Sequence, residues 1–153
     1  MSEQLNVERV KDALAACCRS GIECSSCQGK ACLIGFAKLV ADYAGVKKTL
    51  AIPGGIKMVP AGDFKVYDAD SVAQALAVIN IECRNCLDNH DDNCVINIIR
   101  SCLEVALFGQ HVAFTGNPLA YLARLIELDA ENGNKVMAAY RALKKAAAPG
   151  SGA

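Results

Sequence analysis

The sequence has no tryptophan, few aromatic residues and no excess of charge of either sign. Aromatic residues make up 5% of the 153 residues, and sixteen Lys and Arg balance sixteen Asp and Glu. Proteins that bind nucleic acid hold phosphates with an excess of basic side chains, so the balance argues against that class. Hydrophobic residues are 53% of the chain and charged residues 21%, a composition that excludes intrinsic disorder.

Long apolar segments and common catalytic motifs are also missing. The sequence contains no run of about 18 apolar residues, so we expect no membrane span. The polar residues 1–12 lack the apolar stretch of a secretory signal, and we expect a reducing, cytoplasmic location. There is no P-loop, no GxGxxG and no Ser/His/Asp set, so an accessory or electron-transfer protein is favoured over a stand-alone enzyme.

Cysteine is the residue that this chain carries in unusual number. The count of nine is odd and falls below the density of a disulfide scaffold. In a reducing compartment, clustered cysteines indicate metal or redox chemistry rather than structural disulfides.

Six of the nine cysteines lie in two similar segments. Residues 22–34 read IECSSCQGKACLI, and residues 81–96 read IECRNCLDNHDDNCVI. Each has Ile-Glu-Cys-x-x-Cys, a polar loop, and a third Cys followed by two aliphatic residues. Similar apolar patterns flank both segments, so we interpret the chain as a duplication, with repeat 1 at about 6–55 and repeat 2 at about 70–117;.

The fold class predicted from these patterns is α+β and mainly helical. Each copy is expected to contain a helix, the cysteine loop, a second helix, a glycine stop and a short strand. Residues 48–68 and 111–115 combine β-prone residues with turn residues, and they predict a small β-sheet. We expect one domain over 1–147, with C-terminal helices at 118–147 and a flexible tail at 148–153;.

The helices follow from apolar periodicity and from residues that favour helix ends. The second helix of each copy, about 32–44 and 94–108, is apolar nearly all round and should be central. Gly45 and Gly109 are expected to end these two helices. A third helix is predicted to start at Ser71, which forms a capping box with Gln74. Asn132 with Gly133 predicts a turn before the last helix.

The spacing of the repeated cysteines suits metal ligation. Two residues between the cysteines of a CxxC motif let both sulfurs face one centre, and a following helix N-terminus favours the thiolate form. The predicted metal ligands and cofactor-binding residues are both CxxC pairs and the third cysteine of each segment: Cys24, Cys27, Cys32, Cys83, Cys86 and Cys94. The sequence predicts no catalytic residue.

Other side chains are candidates to complete the two sites. Cys17 or Cys18 is close enough in sequence to fold back as a fourth ligand of the first site. His90 or an Asp of the longer second loop could complete the other, although a solvated polar loop is the alternative. Cys102 follows Cys94 by eight residues, about 12 Å along a helix, which is too far for two ligands of one zinc ion. We interpret Cys102 as a buried apolar residue or as a ligand of a different centre.

The favoured function is an iron–sulfur protein that acts as an electron-transfer or cluster-carrying accessory subunit of a redox system. Clusters are held by cysteine thiolates, and a 4Fe–4S cluster is expected, although neither spacing matches the bacterial ferredoxin run. One alternative is a structural zinc site made from the two CxxC pairs, in an interaction module. Another is a metalloenzyme or dithiol redox protein with an open metal position. The expected partner is a redox protein or enzyme subunit, and a homo- or hetero-oligomer is left open.

Overall fold

The predicted β-sheet is absent from the part of the chain that a computed structural model describes. The described residues are 7–17, 32–47, 52–60, 68–84, 94–112 and 118–147. Within them the chain forms six α-helices, one short 3-10 helix and no β-strand. The helices are α1 (Val7–Cys17), α2 (Leu33–Lys47), α3 (Ala69–Arg84), α4 (Val95–Phe108), α5 (Pro118–Leu128) and α6 (Ala130–Ala147), and the 3-10 helix is Gly55–Met58.

Four of these helices contact one another in a closed ring. Helix α1 packs on α2 and α3, and helix α4 also packs on α2 and α3. Helices α1 and α2 belong to the first predicted repeat and α3 and α4 to the second, so each helix contacts its own repeat and the other one. Helix α6 covers α3, and α5 packs on α6. The ring is what a duplicated helix pair would form, and the duplication itself stays a prediction.

The core lies along α4, where the apolar residues of the sequence are most continuous. The residues of α4 from Val95 to Glu104 are buried, as expected for a helix that is apolar nearly all round. Helix α2 has one buried face and one exposed face, the latter carrying Leu39, Tyr43 and Val46. The prediction of a central helix is therefore confirmed for α4 and confirmed only in part for α2.

The described parts of the predicted sheet adopt other structures because they pack against α4. Residues 52–60 contain the 3-10 helix instead of a strand, and Gly55 is buried where an added Cβ would meet the side chain of Ile98. Val112 donates its backbone N–H to the Glu104 carboxylate at 2.8 Å, and no strand includes it. The rest of the predicted sheet, 48–51, 61–67 and 113–115, lies outside the described residues, as does the tail at 148–153.

Two predicted helix boundaries are wrong, the start of α3 and the end of α2. Helix α3 begins at Ala69, and the Asp68 carboxylate accepts hydrogen bonds from the backbone N–H of Ser71 at 2.9 Å and from its hydroxyl at 2.6 Å. Asp68, and not Ser71, is therefore the N-cap residue. Helix α2 continues through Gly45 to Lys47, whereas Gly109, with φ of 77°, ends α4 as predicted;.

The expected turn at Asn132 and Gly133 lies inside α6. Asp129 caps this helix by accepting the backbone N–H of Asn132 at 3.1 Å;. A Cβ at Gly133 would lie 2.6 Å from the backbone nitrogen of Ile126, so this glycine allows α6 to approach α5 closely. None of the helices in the described ranges is both long enough and apolar enough to cross a membrane.

Candidate metal centre and a buried polar network

The third cysteine of each repeated segment stands at the start of a helix. Cys32 precedes Leu33, the first residue of α2, and its carbonyl oxygen accepts the N–H of Phe36 at 2.7 Å. Cys94 is the N-cap residue of α4, and its carbonyl oxygen accepts the N–H of Ile98 at 3.0 Å. Both cysteines therefore lie at the positive end of a helix dipole, where negatively charged groups are stabilised.

The surroundings of these two cysteines are apolar. Cys94 is 2% exposed, and the two residues that follow it, Val95 and Ile96, are buried. Cys32 is partly buried and packs against the same core, and it is followed by the buried Leu33 and Ile34. Helices α2 and α4 also contact each other, so the two helices that the cysteines begin share one interface.

Most of the other predicted ligands lie outside the described residues. Cys83 is in the last turn of α3, so the second CxxC motif begins within a helix rather than in a loop; its side chain is not among the described ones. The remaining candidates outside the described residues are Cys18, Cys24, Cys27, Cys86 and His90. Of the six predicted ligands, only Cys32 and Cys94 have described side chains. Among the described side chains, no three Cys, His, Asp or Glu residues lie close enough together to hold a metal ion.

Two further cysteines are buried in helices. Cys17 lies at the end of α1, and its thiol donates to the carbonyl oxygen of Ala13 at 3.5 Å. Cys102 is fully buried in α4, and burial raises the pKa of its thiol, with the charges of Glu104 and Cys32 adding to the rise;. Cys102 therefore behaves as a protonated, apolar side chain, while the ligand roles considered for both cysteines stay predictions.

The sequence interpretation missed a buried polar network on α4. Four polar residues of this helix are buried: Asn97, Arg100, Ser101 and Glu104. Their spacing of i, i+3, i+4 and i+7 places them on one side of the helix. This spacing is visible in the sequence, but it is obscured when the helix is judged only by its high content of apolar residues.

Glu104 joins α4 to the chain that follows it. Its Oε1 atom accepts the Val112 N–H at 2.8 Å, and its Oε2 atom accepts the hydroxyl of Tyr121 in α5. The Nδ1 atom of the half-exposed His111 lies 3.1 Å from Oε1 and 3.1 Å from the Ser101 hydroxyl. A buried carboxylate is tolerated when its oxygens accept hydrogen bonds, and these contacts meet that requirement for Glu104.

Arg100 occupies the part of the network nearer to the start of α4. Its side chain is among the most buried in the protein, with 1% exposure. The Nη1 atom donates to Asn97 Oδ1, and Cζ lies 5.3 Å from the centre of the Tyr121 ring, a distance at which a cation is attracted to an aromatic face. Tyr121 thus contacts Arg100 through its ring and Glu104 through its hydroxyl.

Asn80 is a second buried polar residue that the sequence interpretation missed. It lies on α3, three residues before Cys83, and its Nδ2 atom donates to the carbonyl oxygen of Leu76 at 2.9 Å. Its Oδ1 atom is buried and accepts no hydrogen bond from the residues that the structure describes. A buried asparagine with one unsatisfied oxygen is costly, and this one lies a single helical turn from a predicted ligand.

Comparison with known proteins identifies no relative of this chain. No protein-family model, no curated protein and no solved structure matches it. The functional argument consequently rests on the residues and on their placement.

Proposed function

We propose that this chain binds an inorganic centre through cysteine thiolates, and that the centre is an iron–sulfur cluster of the 4Fe–4S type. The observation that carries the proposal is the equivalent position of Cys32 and Cys94. Each is the third cysteine of a repeated segment, and each stands at the start of one of two contacting helices. Repetition of a cysteine at the same structural position is expected when the sulfur is a ligand.

The chemistry of this position supports ligation by a thiolate. The positive end of a helix dipole stabilises negative charge, and a cysteine that binds a metal does so as the negatively charged thiolate. The aliphatic residues that follow both cysteines would keep water from a cluster, and exclusion of water is one way that proteins tune cluster potentials. When bound, the cluster would supply one-electron chemistry.

The predicted ligand sets follow the two segments. Cys24, Cys27 and Cys32 would hold the first centre. Cys83, Cys86 and Cys94 would hold the second, with α3 supplying Cys83 and the start of α4 supplying Cys94. The chain would act as an electron-transfer or cluster-carrying subunit, and its partner would be a redox protein or an enzyme subunit. This role fits a sequence that is distinguished by its thiols and not by substrate-binding motifs.

A structural zinc site is the main competing function, and it predicts a different dependence on individual cysteines. A zinc ion held by the two CxxC pairs would leave Cys32 and Cys94 without a role. Their replacement would then be mild, whereas loss of any CxxC cysteine would unfold a chain that depends on the metal.

The test is a series of cysteine substitutions in protein prepared without oxygen. We expect Cys32→Ser and Cys94→Ser each to lower the iron and sulfide content by about half, because each change removes a ligand from one of two clusters. The matched control is Cys102→Ala, which also alters a cysteine at or near α4 and is expected to leave the iron content unchanged. Full iron content in both ligand variants would contradict the proposed ligand sets.

A further inference from the structure

The chain that leaves α4 folds back onto that helix. Gly109 ends α4 with a φ of 77°, a conformation that glycine adopts readily. After this turn, His111 and Val112 reach back to Glu104. The Val112 N–H donates to Oε1 of Glu104 at 2.8 Å, and Nδ1 of His111 lies 3.1 Å from the same oxygen. One buried carboxylate therefore holds the start of the connection between α4 and α5.

His111 links this buried carboxylate to solvent. The side chain of Glu104 is 0% exposed, whereas that of His111 is 50% exposed. A carboxylate only accepts hydrogen bonds, so we assign a proton to the Nδ1 atom beside it. The Ser101 hydroxyl, 3.1 Å from the same Nδ1, can then act as a second acceptor. A further proton therefore binds at Nε2, the ring nitrogen on the side away from Glu104.

Glu104 stabilises the positive charge that this further proton brings. A nearby opposite charge favours the charged form of a group, whereas burial disfavours it. The ring is half-exposed and the carboxylate is buried, so the attraction outweighs the cost of burying the imidazole. The hydrogen bond also strengthens when both partners are charged. The connection is therefore held more tightly to α4 when His111 is protonated.

The other titratable and charged groups described around this site keep their charge near neutral pH. The Tyr121 hydroxyl of α5 donates to Oε2 of the same carboxylate as a neutral partner. Arg100 contacts the ring of Tyr121, with Cζ 5.3 Å from its centre, and a guanidinium stays protonated. Burial raises the pKa of the Cys102 thiol, which stays neutral. Among these groups, His111 alone has an ordinary pKa near neutrality, at about 6.5.

We propose that His111 is a pH-sensitive latch, which fastens the connection between α4 and α5 to Glu104 when it is protonated and loosens that connection when it is neutral. A histidine whose charged form is stabilised in the folded protein has a pKa above its value in the unfolded chain. Its contribution to stability is complete below about pH 6.5 and disappears as the pH rises through the folded-state pKa. The latch uses no proposed metal ligand, so it is independent of the proposed function.

Two measurements on the full chain test the latch. The first is an NMR titration of its two histidines, in which the signal that His111→Gln removes is that of His111. We expect a midpoint about one pH unit above the ordinary value of about 6.5. The second is hydrogen exchange at the Val112 amide, expressed as protection relative to an unstructured chain. Because one pKa unit corresponds to about a tenfold change in an equilibrium, this protection should fall about tenfold between about pH 5.5 and about pH 9.

Variants at position 111 separate the latch from other effects of pH. His111→Gln cannot titrate and His111→Lys stays charged up to about pH 9, so the Val112 protection of both should be nearly constant over this range. A His111 midpoint at or below about 6.5 overturns the proposal, as does a parent whose protection changes with pH no more than that of His111→Gln. If His111→Gln does not fold, His111→Lys decides, because a folded Lys variant whose protection still falls by about tenfold assigns the change to another group.

Discussion

Replacing Tyr121 with phenylalanine should destabilise the protein through Glu104. The hydroxyl of Tyr121 donates to the Oε2 atom of Glu104, a carboxylate with 0% exposure. The Phe side chain keeps the aromatic ring that Arg100 contacts, whereas the hydroxyl and its hydrogen bond to Glu104 are removed. A hydrogen bond to a charged group contributes about 1.5–3 kcal/mol to stability. A buried acceptor that loses its donor lowers stability because its loss of hydration is no longer compensated.

The expected loss is large enough to measure by urea denaturation. A loss of about 2 kcal/mol, divided by a slope of about 2 kcal/mol per M, lowers the unfolding midpoint by about 1 M. The slope should not change, because the surface exposed on unfolding is nearly the same. Circular dichroism at a helix band would follow the transition in this helical protein.

A second buried tyrosine provides the matched control. Tyr140 of α6 is 2% exposed, and its hydroxyl makes no hydrogen bond with the residues that the structure describes. Tyr140→Phe should therefore change the free energy of unfolding by less than about 0.5 kcal/mol, the scale of substitutions that remove no specific interaction. A Tyr121→Phe variant as stable as the Tyr140→Phe variant would refute the assignment of Glu104 and Tyr121 to one buried network.

Three further changes test the fold. Gly133→Ala should cost about 1–3 kcal/mol in thermal or urea unfolding, because its Cβ would lie 2.6 Å from the Ile126 nitrogen;; unchanged stability would contradict the close approach of α6 to α5. Asp68→Ala should lower the free energy of unfolding by about 1 kcal/mol because it removes the N-cap of α3. Gln74→Ala should be nearly neutral. A larger loss of stability in Gln74→Ala than in Asp68→Ala would instead support the predicted capping box. Burial raises the pKa of the Cys102 thiol above its ordinary value of 9.0, so above about pH 9 only the unfolded chain loses this proton and stability should fall. That fall should be smaller in Cys102→Ala when unfolding is measured against pH, and an identical pH dependence would contradict the raised pKa.

The sequence predicted the helices well where a pattern extended over several turns. The apolar run of α4 and the glycine after it located both ends of that helix to within one residue, because Gly109 takes the left-handed conformation that favours glycine;. Short-range signals were less reliable. The β-prone residues near Ile52 and Val112 were judged alone, whereas their structure depends on packing against α4, and β-propensity is sensitive to such context.

The candidate site could be predicted only in part, because burial by distant parts of the chain leaves no local pattern in the sequence. The repeated spacing placed Cys32 and Cys94 each at the start of a helix, and the structure confirms these positions. Their role as ligands stays a prediction. The network of Arg100 and Glu104 was missed because the helix was judged by its high content of apolar residues alone. Burial of these charges depends on α5 and on residues 111–112, which are distant in sequence from Arg100 and leave no local signal.

The most direct test of the account is the iron, sulfide and zinc content of the unmodified chain, purified without oxygen. The account predicts iron and acid-labile sulfide in equal amounts, with a broad absorption near about 400 nm that disappears when the cluster is removed. Stoichiometric zinc without sulfide would contradict the iron–sulfur assignment, and a chain free of any bound metal would contradict ligation by the repeated cysteines altogether.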